Sequence, residues 1–238
     1  TLIVQRQNQA IISLENLPLA SRLENVAVSY VKYVAIMLWP GGLAIDYPHP
    51  QDTLPAWQIL ASCALLGAIT VAALVARRRA PYALVGWLWY TGTLVPVIGF
   101  IHVGEQGMAD RYTYVPTIGL LLAGVWIADA SWAGRTANRR VLAAIVLPIL
   151  AVCAVLTWKQ IGYWKSTETL WARAATVNPN NERAQRNVGA VYVEQGRFTE
   201  AVPHLEAASK LIPNDPRTLH ALAYAHRQLG RVDLALEL

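Results

Sequence analysis

Apolar positions along this chain fall into blocks rather than stripes. Residues 57–76 (WQILASCALLGAITVAALVA), 81–101 (PYALVGWLWYTGTLVPVIGFI), 112–128 and 141–158 contain no charged side chain. An amphipathic helix of a soluble domain breaks such a run every third or fourth residue, whereas a helix crossing a bilayer needs about 20 consecutive apolar positions. The blocks therefore predict four membrane-spanning helices, at about 57–76, 81–101, 112–128 and 141–158. A shorter stretch, 23–39 (LENVAVSYVKYVAIMLW), is interrupted by Lys32 and stops at Pro40-Gly41-Gly42. It either crosses at a tilt or lies in the interface with Lys32 snorkelling, the interfacial or re-entrant arrangement being favoured.

After residue 160 the pattern changes. From Ser166 onward there are eight Lys/Arg and eight Asp/Glu, the profile of a soluble helical domain. The expected division is a membrane part, 1–160, and a second domain, 161–238. That domain repeats itself: Pro179 and Pro213, Ala174 and Ala208, Ala201 and Ala235, and Gly196 and Gly230 are each 34 residues apart. This is the tetratricopeptide (TPR) period. Within 182–215 the small residues Gly189 and Ala201 let two helices approach, Tyr192 and Leu205 fill the gap, Ala208 keeps the second helix slim, and Pro213 ends it. Residues 166–181 supply a half repeat and 216–238 a truncated one. The fold class read from the sequence is all-α: a polytopic helical membrane domain followed by a TPR α-solenoid.

Charge adds orientation. Arg77, Arg78, Arg79, Arg135, Arg139 and Arg140 occupy two loops, and the alternate loops, 40–56 and 102–111, hold only Arg111. Short loops rich in Lys/Arg stay cytoplasmic, so 40–56, 102–111 and everything after 158 are expected outside, in a periplasm or lumen. The net charge of +5 resides in such loops, and no nucleic-acid partner is expected. Cys63 and Cys153 fall inside apolar blocks and read as packing residues, with neither disulfide nor metal site expected. The chain begins without Met and stops inside a repeat, and is expected to be a fragment.

Candidate chemistry concentrates in two places. "HVGEQGMADRYTYVPTIGLLL" (102–122) sets Glu105, Asp110 and Arg111 directly before an apolar block, with His102, Tyr112 and Tyr114 beside them. Arg111 is the Lys/Arg of the external loops, at the depth of a lipid phosphate, and Arg offers phosphate oxygens two parallel hydrogen bonds. The alternative is an Asp110–Arg111 ion pair that fixes the helix start. A neighbouring patch, Asp46 to Pro50, reads as a rigid proline turn or as lining the same cavity. On the TPR concave face the repeat places Arg183, Arg186, Asn187, Arg217, His220, Tyr224 and Arg227, a basic groove suited to carboxylate-bearing peptides, or an ordinary solvated face.

"YVKYVAIMLWPGGLAIDYPHP" (30–50), "GWLWYTGTLVPVIGF" (86–100) and "EQGMADRYTYVPTIG" (105–119), followed by TPRs, resemble the transmembrane-and-TPR O-mannosyltransferases, particularly their prokaryotic relatives. The resemblance implies a GT-C glycosyltransferase: a multi-span enzyme moving a mannose-like sugar from a polyprenyl-phosphate donor to a protein acceptor on the external side, with the TPRs recruiting that acceptor. For such a donor, the position and chemistry of the cluster lead to the expectation that Arg111 binds the phosphate, flanked by Tyr112 and Tyr114 as hydrogen-bond donors. Glu105 or Asp110 is expected to hold Arg111, contact sugar hydroxyls or assist a metal, and His102 is a further candidate. Asn187 stands where O-GlcNAc-transferase-type repeats carry a peptide-binding asparagine, and the next repeat has Ala221 there. The family's catalytic base is expected on an earlier external loop, upstream of this chain, so no residue here is assigned as base and this piece alone is expected to be inactive. The polyprenyl-phosphate-linked sugar is the donor substrate, no cofactor is assigned, and the involvement of a divalent metal is left open. The implied location is a bacterial inner membrane, or the ER membrane in a eukaryote. A membrane-anchored TPR scaffold and an O-antigen-ligase-type glycan enzyme are the alternatives.

Overall fold

The computed structural model describes residues 18–50, 53–99, 106–132 and 138–237. Among them the chain is helical almost throughout. Helix α1 is Leu19–Leu38, followed by a 3-10 turn at Pro40–Gly42. A two-stranded ribbon pairs β1 (Tyr47–Pro48) with β2 (Gln106–Met108). The apolar helices are α2 (Ala56–Ala76), α3 (Pro81–Leu94), α4 (Tyr114–Trp132, entered through a 3-10 turn at Asp110–Thr113) and α5 (Asn138–Tyr163). Five shorter helices follow: α6 (Thr167–Val177), α7 (Glu182–Glu194), α8 (Phe198–Leu211), α9 (Pro216–Gln228) and α10 (Val232–Leu236).

The chain forms two compact units. The first runs to Gly41 and resumes from Pro48 to Cys153; the second joins Gly42–Tyr47 to Ala154 and the residues after it.

Among the described residues, three segments are long and apolar enough to cross a membrane: Ala56–Ala76 and Asp110–Ser131 in the first unit and, continuing into the second, Val141–Tyr163. Few of their residues are buried by protein, 11%, 11% and 0% in the three apolar windows. Uncovered apolar faces of this size call for a nonaqueous neighbour.

The predicted span 81–101 is the exception. Pro81 starts α3 well, since a first-turn proline loses no hydrogen bond, but the helix has only 14 residues and stops at Leu94. That is about 21 Å of helix, short of a bilayer core of roughly 30 Å. Pro96 has no N–H to extend the ladder, and the backbone turns instead through Val97 N–H to Leu94 O (2.9 Å) and Ile98 N–H to Leu94 O (2.9 Å). Leu94 and Ile98 are buried there.

Helices α3 and α4 pack through two glycines. A Cβ on Gly86 would collide with the Gly119 carbonyl and Ala123, and one on Gly119 would lie 2.7 Å from the Gly86 carbonyl oxygen. Small-residue contacts of this kind let apolar helices touch backbone to backbone. Trp89 Nε1 donates to Val115 O (2.9 Å) at the same crossing.

The second unit is built by paired helices. Gly189 of α7 lies under Leu205 of α8, whose Cγ would be 2.5 Å from an added Cβ. Ala201, Leu205 and Ala208 are fully buried. Gly196 and Gly230, at equivalent turns, both take φ of 74°, the left-handed conformation that favours glycine.

Candidate functional site

The cluster before α4 is positioned from α1, and by polar residues. Along α1 the side chains of Ser21, Arg22, Asn25, Ser29 and Tyr33 are buried, while Leu19, Leu23 and Leu38 are exposed. Spacings of three and four bring these polar groups onto one helix face. Asn25 Nδ2 donates to Gly107 O (3.1 Å), and Ser29 Oγ donates to Asn25 Oδ1 (3.4 Å). Tyr33, with no exposed surface, accepts from Ala109 N–H (3.0 Å) and donates to Ala109 O (3.3 Å) through one hydroxyl. The backbone at 107–109 is thereby clamped just before Asp110.

On that clamp the 3-10 turn Asp110–Thr113 presents the predicted side chains. Arg111 is exposed; its Nη2 donates to Gln106 Oε1 (3.3 Å), and its guanidinium lies 5.0 Å from the Tyr112 ring centroid. Tyr114 is 76% exposed at the first position of α4. Thr113 Oγ1 donates back to Asp110 O (2.7 Å), closing the turn. Arg111, Tyr112 and Tyr114 thus sit together at the N-terminal end of an apolar helix, where unpaired backbone N–H groups favour an anion. Asp110 adjoins them, partly buried. His102 and Glu105 lie outside the described residues.

Asn25 and Tyr33 were not among the residues predicted for this site. The signal was present in the sequence as the recurrence Arg22, Asn25, Ser29, Tyr33 on an otherwise apolar helix. A polar stripe reads equally well as a solvated face, and only packing shows that this one is turned inward.

The predicted TPR groove residues fall on two helices. Arg183, Arg186 and Asn187 are on α7; Arg217, His220, Tyr224 and Arg227 are on α9. Several already have partners. Arg186 is only 12% exposed and bridges Glu182 Oε1 (3.3 Å) and Asp215 Oδ2 (3.3 Å), so it holds α7 to the cap of α9. Asn187 Nδ2 folds back onto Arg183 O (2.7 Å) within its own helix, the local bond a short amide makes there. Arg183 Nη1 lies 3.5 Å from Asp46 Oδ1. Tyr224 stands edge-on to Phe198, centroids 6.0 Å apart. Arg217, His220 and Arg227 are exposed, Arg217 lying 3.7 Å from Asp215.

Asp46 is 4% exposed and belongs to the second unit. Asn181 Nδ2 donates to its carbonyl (3.2 Å) and to Oδ2 (3.1 Å).

Comparison with known proteins bears on both parts. Residues 189–230 match the family model for the TPR repeat. Protein O-mannosyl-transferase TMTC1 of Homo sapiens is 27% identical over 154 residues, 63% of this chain and 17% of that protein. Protein O-mannosyl-transferase Tmtc2 of Drosophila melanogaster is 32% identical over 119 residues, 49% of this chain and 12% of its own length. TMTC4 of Mus musculus, likewise named a protein O-mannosyl-transferase, is 30% identical over 105 residues, 44% of this chain and 14% of that protein. The chain therefore spans less than a fifth of the length of these curated relatives. It is a membrane protein, predominantly helical among the described residues and bearing TPR repeats, and it is distantly similar to animal protein O-mannosyl-transferases.

Proposed function

We propose that this chain is part of a membrane glycosyltransferase of the GT-C type, related to the prokaryotic members of that class. It transfers a mannose-like sugar from a polyprenyl-phosphate donor to a protein acceptor on the external face, periplasmic or lumenal, and the TPR domain recruits the acceptor. The reading rests on one observation above others: Arg111 is exposed at the mouth of an apolar helix, on a backbone clamped by Asn25 and Tyr33.

Sugar transfer from a lipid phosphate leaves negative charge on the departing phosphate. Donors preset around that position lower the barrier because they need not reorganise as the charge develops. Arg111 supplies the cation, Tyr112 and Tyr114 supply hydroxyls, and the start of α4 adds its dipole. Gln106 and the Tyr112 ring steer the guanidinium without neutralising it. The base that takes the acceptor's proton lies in another part of the protein. Glu105, Asp110 and His102 are proposed to orient the sugar or Arg111. The loop asymmetry of Arg supports the external placement. The TPR surface of Arg183, Asn187, Arg217, His220, Tyr224 and Arg227 takes the acceptor segment.

The test is Arg111→Ala in the full-length protein, with transfer from a polyprenyl-phosphate-linked sugar measured in membranes. Transfer falls by about a hundredfold or more, the usual cost of losing a preset charge-stabilising donor, while the protein inserts normally. Unchanged turnover overturns the phosphate role.

A further inference from the structure

Within the second unit the repeats begin with a half: α6 corresponds to the second helix of a TPR, and α7 opens the next repeat. Solenoid ends expose the face that would pack on a neighbour and need a cap. Here the face is filled. Ala44, 5% exposed, clusters with Ala174 and Ala175 of α6 and Ala184 and Val188 of α7, and Ile45 and Tyr47 pack around them. Tyr47 Oη holds the segment in a tight loop, accepting from Ala44 N–H (2.8 Å) and donating to Gly42 O (3.1 Å).

The polar contacts show that this is more than apolar cover. Asn181 is the N-cap of α7 and has no exposed surface; its Oδ1 accepts from Ala184 N–H (3.0 Å). Capping uses only the oxygen, so the buried amide must find acceptors or pay its desolvation. It finds two, both on Asp46. One period later the equivalent cap is Asp215, which accepts from Thr218 N–H (3.1 Å) and is paired with Arg186 of the preceding first helix. The second junction thus joins an acidic cap to a cation from the repeat before it. At Asn181 the polarity is inverted: the cap is an amide, and Gly42–Tyr47 brings the carboxylate.

We propose that Gly42–Tyr47 is an in-chain ligand of the TPR array: it stands in for the first helix missing from the half repeat, and its Asp46 carboxylate fills a carboxylate-binding site made by Asn181 and Arg183. The site selects an aspartate two residues after a buried alanine. It sits at the head of the groove, because Arg183 belongs to both. A carboxylate-bearing peptide that reaches Arg183 competes with Asp46.

The test uses the whole chain in detergent, with amide hydrogen exchange followed at 43–47 and along α7, and needs neither donor nor acceptor. Its outcome is therefore separate from that of the transferase reading. Asn181→Asp keeps a capping oxygen on α7 but sets two carboxylates against each other, and exchange at 43–47 rises about tenfold or more as the segment is released. Adding Asp46→Asn to that variant exchanges amide and acid, and protection returns. Asp46→Asn alone, which faces amide to amide and loses the Arg183 pair, gives an intermediate rise. If Asn181→Asp leaves 43–47 as protected as before, or if the swapped pair fails to recover protection while α7 remains protected, the proposal is overturned.

Discussion

Tyr33 shows how one side chain places a loop. Its hydroxyl serves both the N–H and the carbonyl of Ala109 in a buried position. Tyr33→Phe leaves both backbone groups without that partner while keeping the ring, and a buried polar group left unmade costs about 1–3 kcal/mol. The expected outcome is a lower thermal midpoint, together with faster amide exchange at 107–113 and unchanged exchange in α7–α9; equal loosening of α7–α9 would contradict a local clamp. That Arg111, Tyr112 and Tyr114 gather at the start of α4 is legible at this scale because charge and tyrosine next to an apolar block is a local pattern. Tyr33 was not, because a tyrosine on an apolar helix signals nothing until its neighbour is known.

At the scale of elements, the close approach of α3 and α4 depends on Gly86 and Gly119 facing each other's backbone. Gly119→Val has no space for its side chain, and overpacking typically costs about 1–3 kcal/mol. Separation of the helices is expected, read as increased labelling of a cysteine placed at Ala123, which is buried near the crossing. Gly124→Val is the control, because a Cβ there meets nothing within 4 Å; equal labelling in the two variants would refute the crossing. Helix existence followed from uncharged runs, and α2, α4 and α5 lie where those runs lie. The extent of α3 did not follow from hydrophobicity, since Val95–Ile101 is as apolar as the helix before it. Pro96 was visible but ambiguous: Pro148 lies inside α5 without ending it. What separates them is that Leu94 and Ile98 are drawn into a packed interior.

For the whole molecule, pH acts on the TPR part through groups held away from their ordinary titration. The Thr218 hydroxyl, then its amide and the Arg186 and Arg217 cations, hold Asp215 below the usual aspartate value. Gln195 and Arg197 do the same for Glu168, and Arg197 for Glu200. Burial lowers the His204 imidazole, whose Nδ1 lies 2.7 Å from Gln185 Oε1. All four pKa values are depressed in the folded state, so their stabilisation is complete above the unfolded values and lost as pH falls. The melting midpoint of the TPR transition should be flat above about pH 7, fall first below the ordinary histidine value near 6.5, and fall again below about 4.5. His204→Gln removes the upper step only; an upper step that persists in that variant assigns it to another group. The sequence by itself determined the all-α class, the apolar helices and the TPR repeats, because uncharged runs and a 34-residue period are properties of the chain read in order. Tertiary structure alone decided that α1 turns its polar stripe inward, that α3 ends at Leu94, and that Asp46 joins Asn181 and Arg183. These depend on partners far along the chain, 76 residues away for Tyr33 and 135 for Asn181, and no local pattern carries that information.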